Sequence, residues 1–95
     1  MNKLILCGNL TRDPIAKNVG TKALVTFSLA INEVENLTTY VECEAWEKTA
    51  TVIDEYVRKG HKLLVEGRLK IDNVDGKKYP KCVVSRVELI QPKAK

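Results

Sequence analysis

The sequence predicts an all-β domain with one helix, its elements in the order β-β-β-α-β-β. Three observations predict it. Apolar and polar residues alternate with a period of two over most of the chain. The alternation breaks once, over residues 47–59, where Ala50, Ile53 and Val57 fall at helical spacing. The length, 95 residues, allows a single small core and no second domain.

The first strand runs from Lys3 to Leu10, bounded by Gly8-Asn9 and Thr11. Asp13-Pro14 and Asn18-Val19-Gly20 mark a loop after it. Ala23, Val25, Phe27, Leu29 and Ile31 then recur at every second position, a half-buried strand over residues 23–32. Thr39 to Trp46 alternates again, with Tyr40, Glu42, Glu44 and Trp46 on one face and Val41, Cys43 and Ala45 on the other. The helix follows, with Val52 and Tyr56 beside its apolar stripe. Arg58-Lys59-Gly60 reads as its end, cations on the negative dipole and a glycine just past it. His61 to Asp72 is a fourth strand, with Leu63, Val65, Gly67, Leu69 and Ile71 on one face. Asp75-Gly76 is a hairpin turn. Lys78 to Ile90 is the fifth strand, and Pro80 near its start marks an edge position or the point where the chain joins the sheet.

Composition excludes several classes. Hydrophobic residues are 44% and charged residues 29%, a globular balance rather than a disordered one. The longest apolar run, Leu4 to Cys7, is too short for a membrane helix or a signal h-region. Cys7, Cys43 and Cys82 are odd in number with no C-x-x-C pair, which fits a reducing compartment, so a cytoplasmic chain is expected. With one histidine and no dense cluster of ligand types, neither a metal nor a cofactor is expected. The formal charge is +4, unevenly spread. Residues 1–47 carry 4 basic and 6 acidic side chains, while residues 48–95 carry 12 and 6. A basic second half permits a nucleic-acid partner if its lysines share a face.

Five strands with a single helix between the third and fourth is the order of the OB-fold, a partly open five-stranded barrel. Other small β-rich folds share the order. Five segments then become specific. Asn2 to Pro14, Phe27 to Asn32, Ala45 to Ala50, Tyr56 to Gly60 and Leu64 to Leu69 resemble, in the same order, segments of the bacterial-type single-stranded DNA-binding proteins. The resemblance implies an OB-fold single-stranded DNA-binding domain over residues 1–91 and a short basic end at 92–95. It implies a homo-oligomer, usually a tetramer, that coats single-stranded DNA without strong sequence preference in DNA replication, DNA recombination and DNA repair. It implies a binder, not an enzyme.

By the same resemblance, Tyr40 and Trp46 carry base stacking, and Lys48, Lys70 and Lys78 contact phosphate. Lys77, beside the turn, joins them, with Lys3 and Arg68 weaker, as are Arg58 and Lys59. Such aromatic platforms and cations are what single-strand binding needs. The chain departs from the family where an aromatic is usual, at Val34-Glu35 and at Asp72-Asn73-Val74. Glu42 and Glu44 share the face of Tyr40 and Trp46 and oppose a polyanion unless cations neutralise them. Weaker binding and a shorter footprint are therefore expected. The family's acidic, aromatic-ended tip is not seen at residues 92–95: either the sequence stops short of it, or the protein is a short version in which no partner is recruited through such a tip.

Structural readings stand beside these. Phe27 and Tyr56 sit at core spacing, Tyr79 fits either role, and the three cysteines read as small buried hydrophobes. His61 suits a helix end. The alternative function is an OB-fold accessory or adaptor of the primosome type, acting through protein contacts. A thiol-dependent enzyme using Cys43 or Cys82 is the weakest reading.

Overall fold

A computed structural model describes residues 1–91; the basic end expected at Pro92-Lys93-Ala94-Lys95 lies outside the described residues. The chain forms strands β1 (Leu4–Leu10), β2 (Ile15–Val19), β3 (Lys22–Val34) and β4 (Leu37–Trp46), helix α1 (Glu47–Tyr56), then β5 (Lys62–Val74) and β6 (Lys77–Gln91). All strands belong to one sheet, ordered β1-β5-β6-β4-β3-β2. Asn9 and Leu10 of β1 also pair with Ala30 and Leu29 of β3, which closes β1, β5, β6, β4 and β3 into a ring. The β4–β6 pairing, Cys43↔Cys82 to Ala45↔Val84, is parallel and the others are antiparallel. This is the OB-fold arrangement.

The five expected strands form, several a residue or two longer at their ends, and a sixth appears where a loop was expected. Strand β2 is exposed along its whole length and, among the described residues, pairs only with β3. It shows no apolar alternation because it has no buried face. It exists because β3 offers a free edge and Gly20, at φ 64°, turns the chain back onto it.

The ring encloses Phe27, Leu29, Val25, Cys43, Leu63, Val65 and Cys82. Helix α1 lies mainly against β3 and adds Ala50 and Ile53, with Val57 just past its end. The helix stops at Tyr56, earlier than the Arg58-Lys59 expectation. Arg58 still serves it, donating from one guanidinium nitrogen to the Asp54 and Val57 carbonyls, each at 2.7 Å. Tyr56 is 62% exposed, against its core expectation, because it flanks the Ala50–Ile53–Val57 stripe at the turn where the helix ends. Cys7 is exposed too, since Leu6 and Leu10 take the inward positions of β1. His61 is structural: its Nδ1 accepts the Arg58 N–H at 3.0 Å.

Two antiparallel ribbons extend beyond the ring. The β3–β4 ribbon ends at Glu35-Asn36, and the β5–β6 ribbon at Asp75-Gly76, where both residues take positive φ as a type I′ turn requires. Pro80 lies on the second ribbon, paired to Ile71 on one side and beyond the β4 pairing on the other, so its missing N–H costs nothing.

Candidate nucleic-acid interface

The outward face of β4 carries Tyr40, Glu42, Glu44 and Trp46, as alternation requires. Tyr40 is 68% exposed and Trp46 is half-buried. Six residues on one strand separate them by about 20 Å. Past Trp46 the chain turns sharply through Glu47, at φ 55°, a conformation unfavourable for a residue with a Cβ. The Glu47 carboxylate compensates by accepting the Ala23 N–H at 3.1 Å.

Strand β6 lies beside β4, and β5 beside β6. Register fixes their shared face. Arg68 opposes Val83, Lys70 opposes Lys81, Asp72 opposes Tyr79 and Val74 opposes Lys77. The outer face of β4, β6 and β5 thus gathers Trp46, Tyr79, Arg68, Lys70, Lys77 and Lys81. Lys3 joins at the far margin, where its ammonium meets Glu66 at 2.8 Å. Lys78, paired with Asn73, points to the other side of the ribbon. Lys48 stands apart on α1, in a shallow groove with Arg86 and Val87. Arg58 is occupied with the helix end, and the Lys59 N–H is held by Asp13.

The sequence left two residues of this face unassigned, Tyr79 and Lys81. Tyr79, 51% exposed, places an aromatic ring beside the hairpin, opposite the Asp72 position where one seemed missing. Lys81 settles the problem of Glu44. Its ammonium sits 2.6 Å from Glu44 Oε1 and 2.5 Å from Asp72 Oδ2. Glu44 Oε2 accepts the Trp46 indole N–H at 2.9 Å. Burial alone would raise the Glu44 pKa, but the hydrogen bonds from Lys81 and Trp46 outweigh it and hold the carboxyl below its ordinary value. Glu42 is paired more loosely, 3.7 Å from Arg12. Glu44 is therefore answered within the protein, while Glu42 stays exposed and only loosely paired.

Cys43 and Cys82 are buried opposite one another, and contact with Cys82 together with burial pushes the Cys43 thiol up. Neither offers an exposed thiolate for a nucleophilic mechanism. Among the described residues, no group of three or more His, Cys, Asp or Glu could hold a metal, and no helix is long and apolar enough to cross a membrane.

The family model described as "Single-strand binding protein family" matches residues 1–94. The chain belongs to the single-strand binding protein family. Among relatives, the single-stranded DNA-binding protein of Fusobacterium nucleatum is 40% identical over 95 residues, an alignment covering 88% of this chain and 62% of that protein. That of Bacillus cereus is 33% identical over 94 residues, covering 92% and 55%. The crystal structure of wild-type single-stranded DNA binding protein from Thermus aquaticus superposes with a TM-score of 0.84 at 34% identity. It covers 100% of this chain and 43% of that one. The chain thus spans about half the length of these members of the single-strand binding protein family.

Proposed function

We propose that this chain binds and coats single-stranded DNA without sequence preference, in replication, recombination and repair. One observation carries the reading. The outer face of β4, β6 and β5 interleaves Trp46 and Tyr79 with Arg68, Lys70 and Lys77, while Glu44 and Asp72 are paired to Lys81. Bases stack on aromatic rings of any such face, and cations follow the phosphates. Tyr40 extends the path along β4 and Lys3 stands at its margin, while Lys48 on α1 and Lys78 on the reverse of the ribbon lie off this face and serve a strand that wraps past its edge. Lys48 sits in the first turn of α1, where a cation opposes the helix dipole, so its charge is not there for the helix. No step of this binding calls for catalysis or a cofactor.

Titration with oligo-dT at two salt concentrations tests the reading. Trp46 fluorescence should be quenched, and affinity should fall as salt rises, with a log–log slope of about −0.7 per phosphate neutralised. A slope near zero would favour the adaptor reading. Lys81 beside Glu44 and Tyr79 opposite Asp72 answer two of the features that motivate it, while the absent aromatic at Val34-Glu35 and the exposed Glu42 stand.

The protein acts as a homo-oligomer in the cytoplasm, most simply a tetramer built from dimers. Among the described residues, one edge of β1 has no partner strand from Leu4 to Gly8, and Ile5 is exposed there. An unpaired apolar edge invites another strand. A sedimentation mass of one 10.7 kDa chain at micromolar concentration would reject this assembly.

A further inference from the structure

A carboxylate on a surface that meets a polyanion is expected to weaken binding by repulsion. Glu44 does not fit that expectation. Its side chain is 7% exposed, and both oxygens are engaged, one by Lys81 and one by Trp46. An indole has a single N–H donor. The Trp46 backbone is fixed by pairing with Leu24, and its N–H is fixed by Glu44, so both side-chain torsions are set. The carboxylate cannot swing, because Lys81 holds its other oxygen, and Lys81 is held in turn by Asp72 of β5. Three side chains on three strands brace one ring.

We propose that Glu44 is a positioning residue for base stacking: anchored by Lys81, its carboxylate sets the Trp46 indole in place before a strand arrives. The inference rests on the single-strand binding reading of this face. Ordering a free side chain on binding weakens association, and a ring already ordered avoids that cost. Lys81 belongs to the brace, which leaves Arg68, Lys70 and Lys77 as the phosphate contacts of this face.

Trp46 is the sole tryptophan, so its motion can be read directly. Time-resolved fluorescence anisotropy is measured on the DNA-free protein, and affinity on a labelled oligo-dT. Glu44→Leu removes the acceptor at similar volume. It should introduce a sub-nanosecond depolarisation absent from the parent and weaken binding about 2- to 10-fold. Glu44→Gln keeps an oxygen for the indole N–H but turns its amide NH2 on the Lys81 ammonium, which weakens the anchor, so the ring should move less than in Glu44→Leu and binding should fall between Glu44→Leu and the parent. An equally immobile ring in Glu44→Leu overturns the proposal. So does equal tightening by both variants, the signature of plain charge repulsion. Should Glu44→Leu not fold, Trp46→Phe retains a stackable ring without the N–H. It should weaken binding about 2- to 10-fold, and unchanged affinity overturns the proposal. A parent that binds no oligo-dT overturns the binding reading and the stacking role with it, while the anisotropy still reports whether the brace exists.

Discussion

The two halves of β5 have the same pattern and opposite fates. Leu63 and Val65 are fully enclosed, while Leu69 and Ile71, continuing the same apolar face, are exposed, Ile71 to 52%. The difference is what stands across from each half. Leu63 and Val65 look into the ring, where Phe27, Leu29 and Ile53 fill the interior. Beyond Gly67 the strand runs out onto the ribbon with β6, and among the described residues none encloses its apolar side. Alternation reports which residues share a face. Whether that face is buried depends on a second wall, and the ribbon has none of its own.

Substitution should separate the halves sharply. Leu63→Ala opens a cavity in the ring and should cost about 2–5 kcal/mol of stability, read as a lowered denaturant midpoint. Binding measured where the variant is still folded should be retained. The opposite behaviour is expected on the outer face. Trp46→Ala should cost about 1–3 kcal/mol of oligo-dT binding at a temperature where both proteins are folded. Tyr79→Ala should fall in the same range, and unchanged affinity there would remove Tyr79 from the path.

Smaller effects sharpen the contrast along the ribbon. Lys77→Ala should flatten the salt slope by about 0.7 and weaken all sequences alike. The same change at Lys78, on the other side of the ribbon, should do less. Acid should loosen the brace. The Glu44 carboxyl is held below its ordinary value by Lys81 and Trp46 against the opposing effect of burial, so the folded state takes up its proton later than the unfolded one. Its stability contribution is full above about pH 4.3 and is lost as pH falls through the lower folded value. Melting temperatures between pH 2.5 and 6 should show a shallower acid limb for Glu44→Gln. Smallest of all, Ile71→Thr should shift stability by about 0.5 kcal/mol or less. A larger loss would mean that the ribbon is covered in the assembled protein, and the two halves of β5 would then differ less than they do in one chain.

Much of this was legible in the sequence, for local reasons. The strands and the helix announce themselves by period, and the face shared by Tyr40 and Trp46 follows from counting. Even Tyr79 was within reach. Counting outward from the two-residue turn at Asp75-Gly76 opposes Asp72 to Tyr79 and Lys70 to Lys81, the observed register. The Glu44–Lys81 pair was not, because it depends on the parallel β4–β6 pairing between segments far apart in the chain. Strand β2 was missed for another reason: an edge strand without a buried face carries no alternation. Tyr56 was misplaced because helical spacing does not say where the helix stops.

Gly67 marks the place where ring becomes ribbon, opposite Val84 and beside a register shift in β6. A Cβ there would fall inside the Val83 carbonyl. This gives the molecule an uneven tolerance to drift. Charges on the ribbon can move between neighbouring exposed positions over generations, each step small and recoverable. The pinch offers no such gradual route. One methyl group would force the two strands apart at the root of the ribbon, carrying Lys70, Asp72, Tyr79 and Lys81 together out of line with Trp46. A lineage can retune how tightly this surface grips its strand by many paths, but it can keep the surface in one piece only by leaving that single position bare.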